Sequence, residues 1–423
     1  MISTNALLHK TYRILKRTGL TSRRLLIPYY WLPYNFGFGR ALPPIAVNLE
    51  MTFRCNLRCQ MCSYVTSNAV VDGGFPMNRG EGEDPKNIRG TELSLDEYRK
   101  LLDDLARFGV RRVNITGGEP LIKKDTPEIM KHAKSKGLWV SMISNGTVMT
   151  DEVCEAFVGA GVDALTISLD GPEKVHNEVR GTNTGYARLV KNVKKLQDWK
   201  ARHGKKLPAI SFSCAVSALN QAHLAEIVEV AEECGIPMVN YGYLFFGDEP
   251  INKATDAITL RGQANYGNQA IPAHLRKMSV ETIKASLREA RERARSKGIR
   301  LEFNPPLDES ELESRFNDPI YFYTNKCFLP WYETRVNPFG DIYSCQIDTW
   351  LGNVREKRFK AIWNDRPYRE FRKVIKEHVL LPKCSRCCKL NDRTWDYLPR
   401  IALPSWMRSS TNPSKKGRVS QAS

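Results

Sequence analysis

From Ile45 onward the chain alternates short apolar runs with longer stretches of helical periodicity, and this alternation limits the fold more than any other feature. Strand-like runs fall at 45–51, 112–116, 139–144, 164–169, 209–216 and 238–245. Between them lie 95–108, 126–136, 151–160, 186–203 and 222–234, whose apolar residues recur at helical spacing. Such alternation predicts parallel strands joined by helical crossovers. Six strands are too few for a closed barrel. The expected fold is therefore α/β: a partial (β/α)6 TIM-like barrel with a small C-terminal β-hairpin/helix extension. A sixth helix at 280–297 and a strand-like run at 299–303 follow the six strands. Two long interruptions, 64–90 and 247–278, leave the C-terminal ends of strands, where barrel sites sit, and read as substrate contacts or a lid.

The cysteines carry the chemistry. Cys55, Cys59 and Cys62 follow the first strand at spacing C-x3-C-x2-C. Three soft thiolates can hold three corners of a [4Fe–4S] cube and leave the fourth iron open to a small molecule. Zinc, which prefers four ligands in paired form, is the alternative on spacing alone. Gly117-Gly118-Glu119-Pro120 ends the second strand, Ser144-Asn145-Gly146 the third and Ser168-Leu169-Asp170-Gly171 the fourth. Each places glycines or short polar side chains at the barrel mouth, and the glycines allow close approach of the backbone to a ligand. The stretch from His176 to Arg180-Gly181 comes next, with His176 read as structural. Further on, Cys327, Cys345, Cys384 and Cys387 form a second four-thiolate set. An iron–sulfur cluster and a structural zinc are equally compatible with it. The run from Val336 to Cys345 reads as a hairpin turning at Pro-Phe-Gly-Asp. Cys388 is an unexplained neighbour, and Cys154, Cys214 and Cys234 read as core packing.

In this order, the motifs resemble those of the radical S-adenosylmethionine (SAM) enzymes, over residues 45–392. The C-terminal segment resembles their SPASM and twitch extensions. No cysteine follows Cys388, so the match is to the shorter twitch form with one auxiliary cluster. The resemblance implies that Cys55, Cys59 and Cys62 hold a [4Fe–4S] cluster whose open iron binds SAM. Reductive cleavage then yields a 5′-deoxyadenosyl radical that abstracts hydrogen from a substrate. It also implies Gly117, Gly118 and Glu119 at the SAM amino group, and Ser144, Asn145, Ser168 and Asp170 at its ribose and carboxylate. Arg180 would pair with the carboxylate, and Met61, where the family often has an aromatic residue, would pack on adenine. Cys327, Cys345, Cys384 and Cys387 would hold the auxiliary [4Fe–4S] cluster, at a spacing like that of radical SAM dehydrogenases acting on aminocyclitols. Full ligation suits electron transfer. The expected reaction is therefore dehydrogenation of a sugar, aminocyclitol or lipid-linked metabolite. The alternatives are a ribosomal-peptide maturase forming C–C or C–S cross-links and a non-catalytic iron–sulfur electron-transfer protein. A low-potential donor such as flavodoxin or ferredoxin is the expected partner.

Composition narrows the setting. The 423 residues are 42% hydrophobic, and no apolar run approaches the length of a membrane span. Eleven cysteines without a cleavable signal point to a reducing cytoplasm and metal ligation. The net charge of +18 gathers at the ends: seven basic residues and no acid before Glu50, five and none after Asp396. The body is only mildly basic and lacks a basic stripe interleaved with aromatics, so no nucleic-acid partner is expected. Residues 5–18 read as a basic amphipathic helix, followed by an aromatic stretch from Tyr29 to Phe38. Three readings are open: a helix and aromatic plug packed on the barrel, peripheral contact with an anionic membrane, or an organelle transit peptide. The first 44 residues do not read as a peptide-recognition domain. The expected divisions are 1–44, 45–304, 305–398 and a basic, disordered tail at 399–423.

Overall fold

The computed structural model describes residues 22–62, 91–244, 249–259, 273–318, 321–345, 347 and 349–390. The six expected strands are β1 (Ala46–Glu50), β2 (Arg112–Thr116), β3 (Trp139–Ser144), β4 (Ala164–Ser168), β5 (Ala209–Val216) and β6 (Met238–Tyr243). Each pairs in parallel with the next. Val47, Leu49, Val113, Ile115, Val140, Met142, Leu165 and Ile167 are fully buried in the core beneath the crossover helices. The alternate residues Asn48, Asn114, Ser141 and Thr166 are only half-buried and share the opposite face. Hydrogen bonds run along that inner face. Asn48 Nδ2 donates to Glu333 Oε1 at 2.8 Å, Asn114 Nδ2 to Asn48 Oδ1 at 3.0 Å and Ser141 Oγ to Asn114 Oδ1 at 2.9 Å.

The helices are cut where the sequence caps them. Leu95–Phe108 begins with a capping box between Ser94 and Glu97 and stops at Gly109 in the left-handed region. It buries Tyr98, Leu101, Leu102 and Leu105. The helix expected from 222 starts only at Glu226. The preceding residues are held in a turn by Asn220, whose Oδ1 accepts from Ser217 N–H at 2.8 Å. The interruption at 247–278 is not without structure, because it contains the helices Glu249–Thr259 and Ala273–Arg276. The expectations for 5–18, 64–90 and the 399–423 tail lie outside the described residues.

The strand-like run at 299–303 and the C-terminal hairpin join the same sheet as the six barrel strands. After the helix Val280–Lys297, Gly298 at φ 66° turns the chain into β7 (Arg300–Asn304), which extends the sheet in parallel beside β6. Arg300 and Glu302 are exposed, a charged edge of the kind that discourages further pairing. On the other side, β8 (Glu333–Val336) pairs in parallel with β1. It turns through Asn337–Gly340 into antiparallel β9 (Asp341–Tyr343), and β10 (Trp350–Asn353) completes a ten-stranded sheet ordered β10-β9-β8-β1-β2-β3-β4-β5-β6-β7. Asn337 Oδ1 accepts from the N–H groups of Phe339 and Asp341, both at 2.9 Å, and fixes the hairpin turn.

The aromatic stretch near the N-terminus packs on this C-terminal extension. In the helix Ser22–Phe36, Tyr30 stacks against Phe328 and Tyr332, and Tyr34 against Phe328 and Trp331. Arg372, fully buried on the helix Arg366–Glu377, ties the segments together. Its guanidinium donates to Pro330 O at 2.8 Å, Gly39 O at 3.0 Å and Trp363 O at 2.9 Å, and lies over the adjoining rings of Trp363 and Tyr368. The burial of this cation holds its pKa down at about 9.

Candidate functional site

The loop from Thr52 to Cys62 leaves β1 and is gripped from two sides by backbone. On one side Gly118 N–H donates to Thr52 O at 2.7 Å and Glu119 N–H to Arg54 O at 2.9 Å. A Cβ on Gly118 would lie 2.3 Å from Arg54 O, and one on Gly117 2.4 Å from Thr52 O. On the other side Gln60 N–H donates to Val179 O at 3.0 Å, and a Cβ on Gly181 would meet Arg58 O at 2.4 Å. All three glycines let backbone meet backbone. They shape the loop that carries the cysteines.

Within that loop Cys62 N–H donates to Cys59 O at 3.1 Å, closing a tight turn. Donors converge on the sulfurs. Leu57 N–H points at Cys55 Sγ at 3.5 Å, Asn145 Nδ2 at the same sulfur at 3.9 Å, and Arg180 Nη1 at Cys59 Sγ at 3.7 Å. Such donors favour thiolates and suit them to iron. Burial pushes the Cys55 thiol up to about 12, with the charges of Cys59, Glu119 and Cys62 acting the same way. Metal binding at this loop therefore displaces protons.

The carboxylates expected at SAM are already engaged within the protein. Glu119 is fully buried. It accepts from Leu121 N–H at 3.1 Å, Ser144 Oγ at 2.9 Å and Asn145 N–H at 2.7 Å, so it locks the end of β2 to the end of β3. Burial raises its pKa, against the pull of those hydrogen bonds. Asp170, also fully buried, accepts from Ala215 N–H at 2.9 Å and pairs with Arg180 Nε at 2.5 Å. Arg180 thus joins Asp170 to Cys59 rather than standing open to a ligand on every side. Ser168 closes β4 opposite Ser213 of β5. His176 is structural, as its sequence context suggested. Its Nδ1 accepts from Asp170 N–H at 3.3 Å, and burial lowers its pKa to about 4. Met61 packs with Leu219, Leu244 and Leu275, while His274 reaches Gln60 Oε1 at 3.2 Å. The helix Ala273–Arg276 therefore covers one flank of the cysteine loop.

Sequence reasoning missed the ionic base of the loop. Thr52 donates to Glu92, which also faces Arg54 at 3.4 Å and Lys123 at 3.6 Å. Lys123 follows the Gly-Gly-Glu-Pro turn by three residues, but nothing in the sequence pairs it with Glu92.

The second cysteine set comes together. Cys327, Cys345, Cys384 and Cys387 line one cavity of about 30 Å³, with Leu329, Pro330, Ile347, Ile375, Leu390, Lys383 and Lys389. Cys388 is not in that lining. Among the described residues no three His, Cys, Asp or Glu side chains converge as tightly as a single ion requires. Four thiols spaced around a cavity suit a cube, whose irons stand apart. Burial raises the pKa values of all four thiols. Cys154 and Cys214 are core residues, as expected, and Cys234 is buried too.

Comparison with known proteins agrees with this geometry. Residues 49–202 match the family model of the radical SAM superfamily, and residues 327–388 match that of the SPASM iron–sulfur cluster-binding domain. An AdoMet-dependent heme synthase of Methanosarcina barkeri is 25% identical over 361 residues, 81% of this chain and 88% of that protein. A PqqA peptide cyclase of Rhodopseudomonas palustris is 34% identical over 148 residues, 35% of this chain and 34% of that one. The structure of Streptococcus suis SuiB bound to precursor peptide SuiA superposes with a TM-score of 0.56 at 14% identity, covering 89% of this chain and 83% of SuiB. The last likeness establishes the shared fold.

Proposed function

We propose that this chain, a radical SAM enzyme with a SPASM-type iron–sulfur domain, modifies a peptide substrate by hydrogen abstraction. Cys55, Cys59 and Cys62 would hold the first cluster, and SAM bound there would supply the 5′-deoxyadenosyl radical. Asn145 and Arg180 direct hydrogen-bond donors at that cluster's sulfurs, and Glu119 and Asp170 keep the strand ends around it in register. Met61 offers an apolar surface beside it. Cys327, Cys345, Cys384 and Cys387 hold the auxiliary cluster.

The observation that carries the peptide reading is the 34% identity to the PqqA peptide cyclase. Dehydrogenation of a sugar, aminocyclitol or lipid-linked metabolite, the first expectation, has less support. A tetrapyrrole substrate is favoured by the heme synthase likeness, which spans most of both chains. Flavodoxin or ferredoxin is the proposed electron source. Leu32, Phe36, Phe38 and Leu42 are exposed close to the basic N-terminus, and they are where a peripheral membrane contact would form. Among the described residues no helix is long and apolar enough to cross a membrane.

The test is deuterium transfer. Reconstituted, reduced protein is incubated with SAM and either a deuterated peptide pool or a deuterated iron porphyrin, and 5′-deoxyadenosine is examined by mass spectrometry. Label arriving from peptide supports the reading. Label arriving only from the porphyrin refutes it.

A further inference from the structure

Lys383 stands in the wall of the auxiliary cavity, beside Cys384, and its side chain is 2% exposed. Much of that wall is hydrocarbon: Leu329, Pro330, Ile347, Ile375 and Leu390. The backbone holds Lys383 in place. Lys383 N–H donates to Thr255 Oγ1 at 3.0 Å, on the helix Glu249–Thr259. The short 3-10 helix Pro382–Arg386 is pinned from its other side by Arg315, whose guanidinium donates to Ser385 O at 3.2 Å and Arg386 O at 2.9 Å.

The charges around the cavity are ordered. Lys383 and Lys389 line it, and Arg335 lies near Cys345. Glu333 pairs with Lys389, Glu50 with Arg335 at 3.2 Å, and Asp256 faces Lys383 from the helix Glu249–Thr259. None of these three carboxylates is in the lining. A four-thiolate [4Fe–4S] cluster is an anion in both oxidation states and gains one more negative charge on reduction. A cation close to the ligating thiolates therefore favours the reduced form more than the oxidised one.

We propose that Lys383 is the charge partner of the auxiliary cluster and raises its reduction potential, so that the buried site accepts an electron readily. This inference rests on the reading of Cys327, Cys345, Cys384 and Cys387 as the ligands of that cluster. It assigns Lys383 an electrostatic role that the family resemblance does not carry.

The experiment uses the full chain with Cys55, Cys59 and Cys62 replaced by Ala, so that only the auxiliary iron remains. Lys383→Met and Lys383→Arg are compared with Lys383 in this background, by iron content and by redox titration followed by electron paramagnetic resonance. Lys383→Met is expected to keep its iron and shift the one-electron equilibrium at least tenfold toward the oxidised cluster, about 59 mV. Lys383→Arg is expected to stay near the parent. Full iron with an unchanged potential in Lys383→Met overturns the proposal. Loss of iron in Lys383→Met but not in Lys383→Arg upholds the need for a cation. Loss in both shows that the lysine acts by packing, and also overturns it. If the parent itself binds no iron, the ligand assignment falls first, a failure distinguishable because no potential is then measured.

Discussion

Gly118→Ala isolates the argument that the glycines after β2 serve the cysteine loop. No left-handed strain is involved at Gly118, so the effect is steric. The new Cβ would lie 2.3 Å from Arg54 O and 2.8 Å from Phe53 O, both backbone atoms that cannot rotate away. Overpacking of this kind costs about 1–3 kcal/mol. Moving the loop aside also weakens the bonds from Gly118 N–H to Thr52 O and from Glu119 N–H to Arg54 O, at about 1 kcal/mol each. The total of about 3–5 kcal/mol falls on one loop rather than on the core, and it is within the stability of a typical domain. The variant should therefore fold, keep its auxiliary iron and lose the iron held by Cys55, Cys59 and Cys62. Iron per chain after anaerobic reconstitution should fall by about half. 5′-Deoxyadenosine formation should drop by about a hundredfold or more, since 1.36 kcal/mol is a factor of ten. Full iron with weakened SAM binding alone would refute the reasoning, because the glycine would then be making room for the ligand.

Three further perturbations test other parts of the structure. The Arg355 fork bonds Glu97 at 2.6 and 3.0 Å and holds its carboxyl down at about 2. The stabilisation is present above the unfolded carboxylate value of about 4.3 and is lost as pH falls toward 2. Glu97→Gln should therefore cost about 1 kcal/mol at neutral pH for this partly exposed pair, and the melting difference from wild type should close in acid; a difference independent of pH would count against the ion pair. Cys387→Ala should lose the auxiliary iron and Cys388→Ala should keep it, as read by iron analysis; the reverse would move the ligand by one residue. Arg372→Met leaves the carbonyls of Gly39, Pro330 and Trp363 without their donor, and should lower stability by about 2–4 kcal/mol in urea unfolding.

Much of the barrel was legible because its strands have one buried face and obey local periodicity. Arg112–Thr116, Trp139–Ser144 and Ala209–Val216 fall where the pattern placed them. β7 reads as a strand too, but its charged residues, Arg300 and Glu302, hid its membership of the sheet. The two cysteine sets stand out in the sequence, but spacing alone leaves zinc and iron–sulfur chemistry both open. The partners of the polar site residues were not legible. Glu119 and Asp170 look like ligand-binding carboxylates in sequence, yet each spends its oxygens on backbone N–H groups and side chains brought close only by the fold. Lys383 and Lys389 flank the last cysteines in plain view, but the contacts that hold them beside the cavity are with Thr255 and Glu333, remote in sequence. No local rule pairs β8 with β1.

That last pairing bears on how the chain is made. Asn48 and Glu333, bonded across it, are 285 residues apart. During synthesis at cellular rates, β1 waits on the order of tens of seconds for the strand that covers its outer edge. Until then the ribosome carries a nascent sheet with one open border beside the cysteine loop, a template for pairing with another chain. A holdase bound there, or early delivery of iron, would protect it. A message truncated before residue 333 would leave the border open for good, and its product should aggregate even though every residue of the first loop is present.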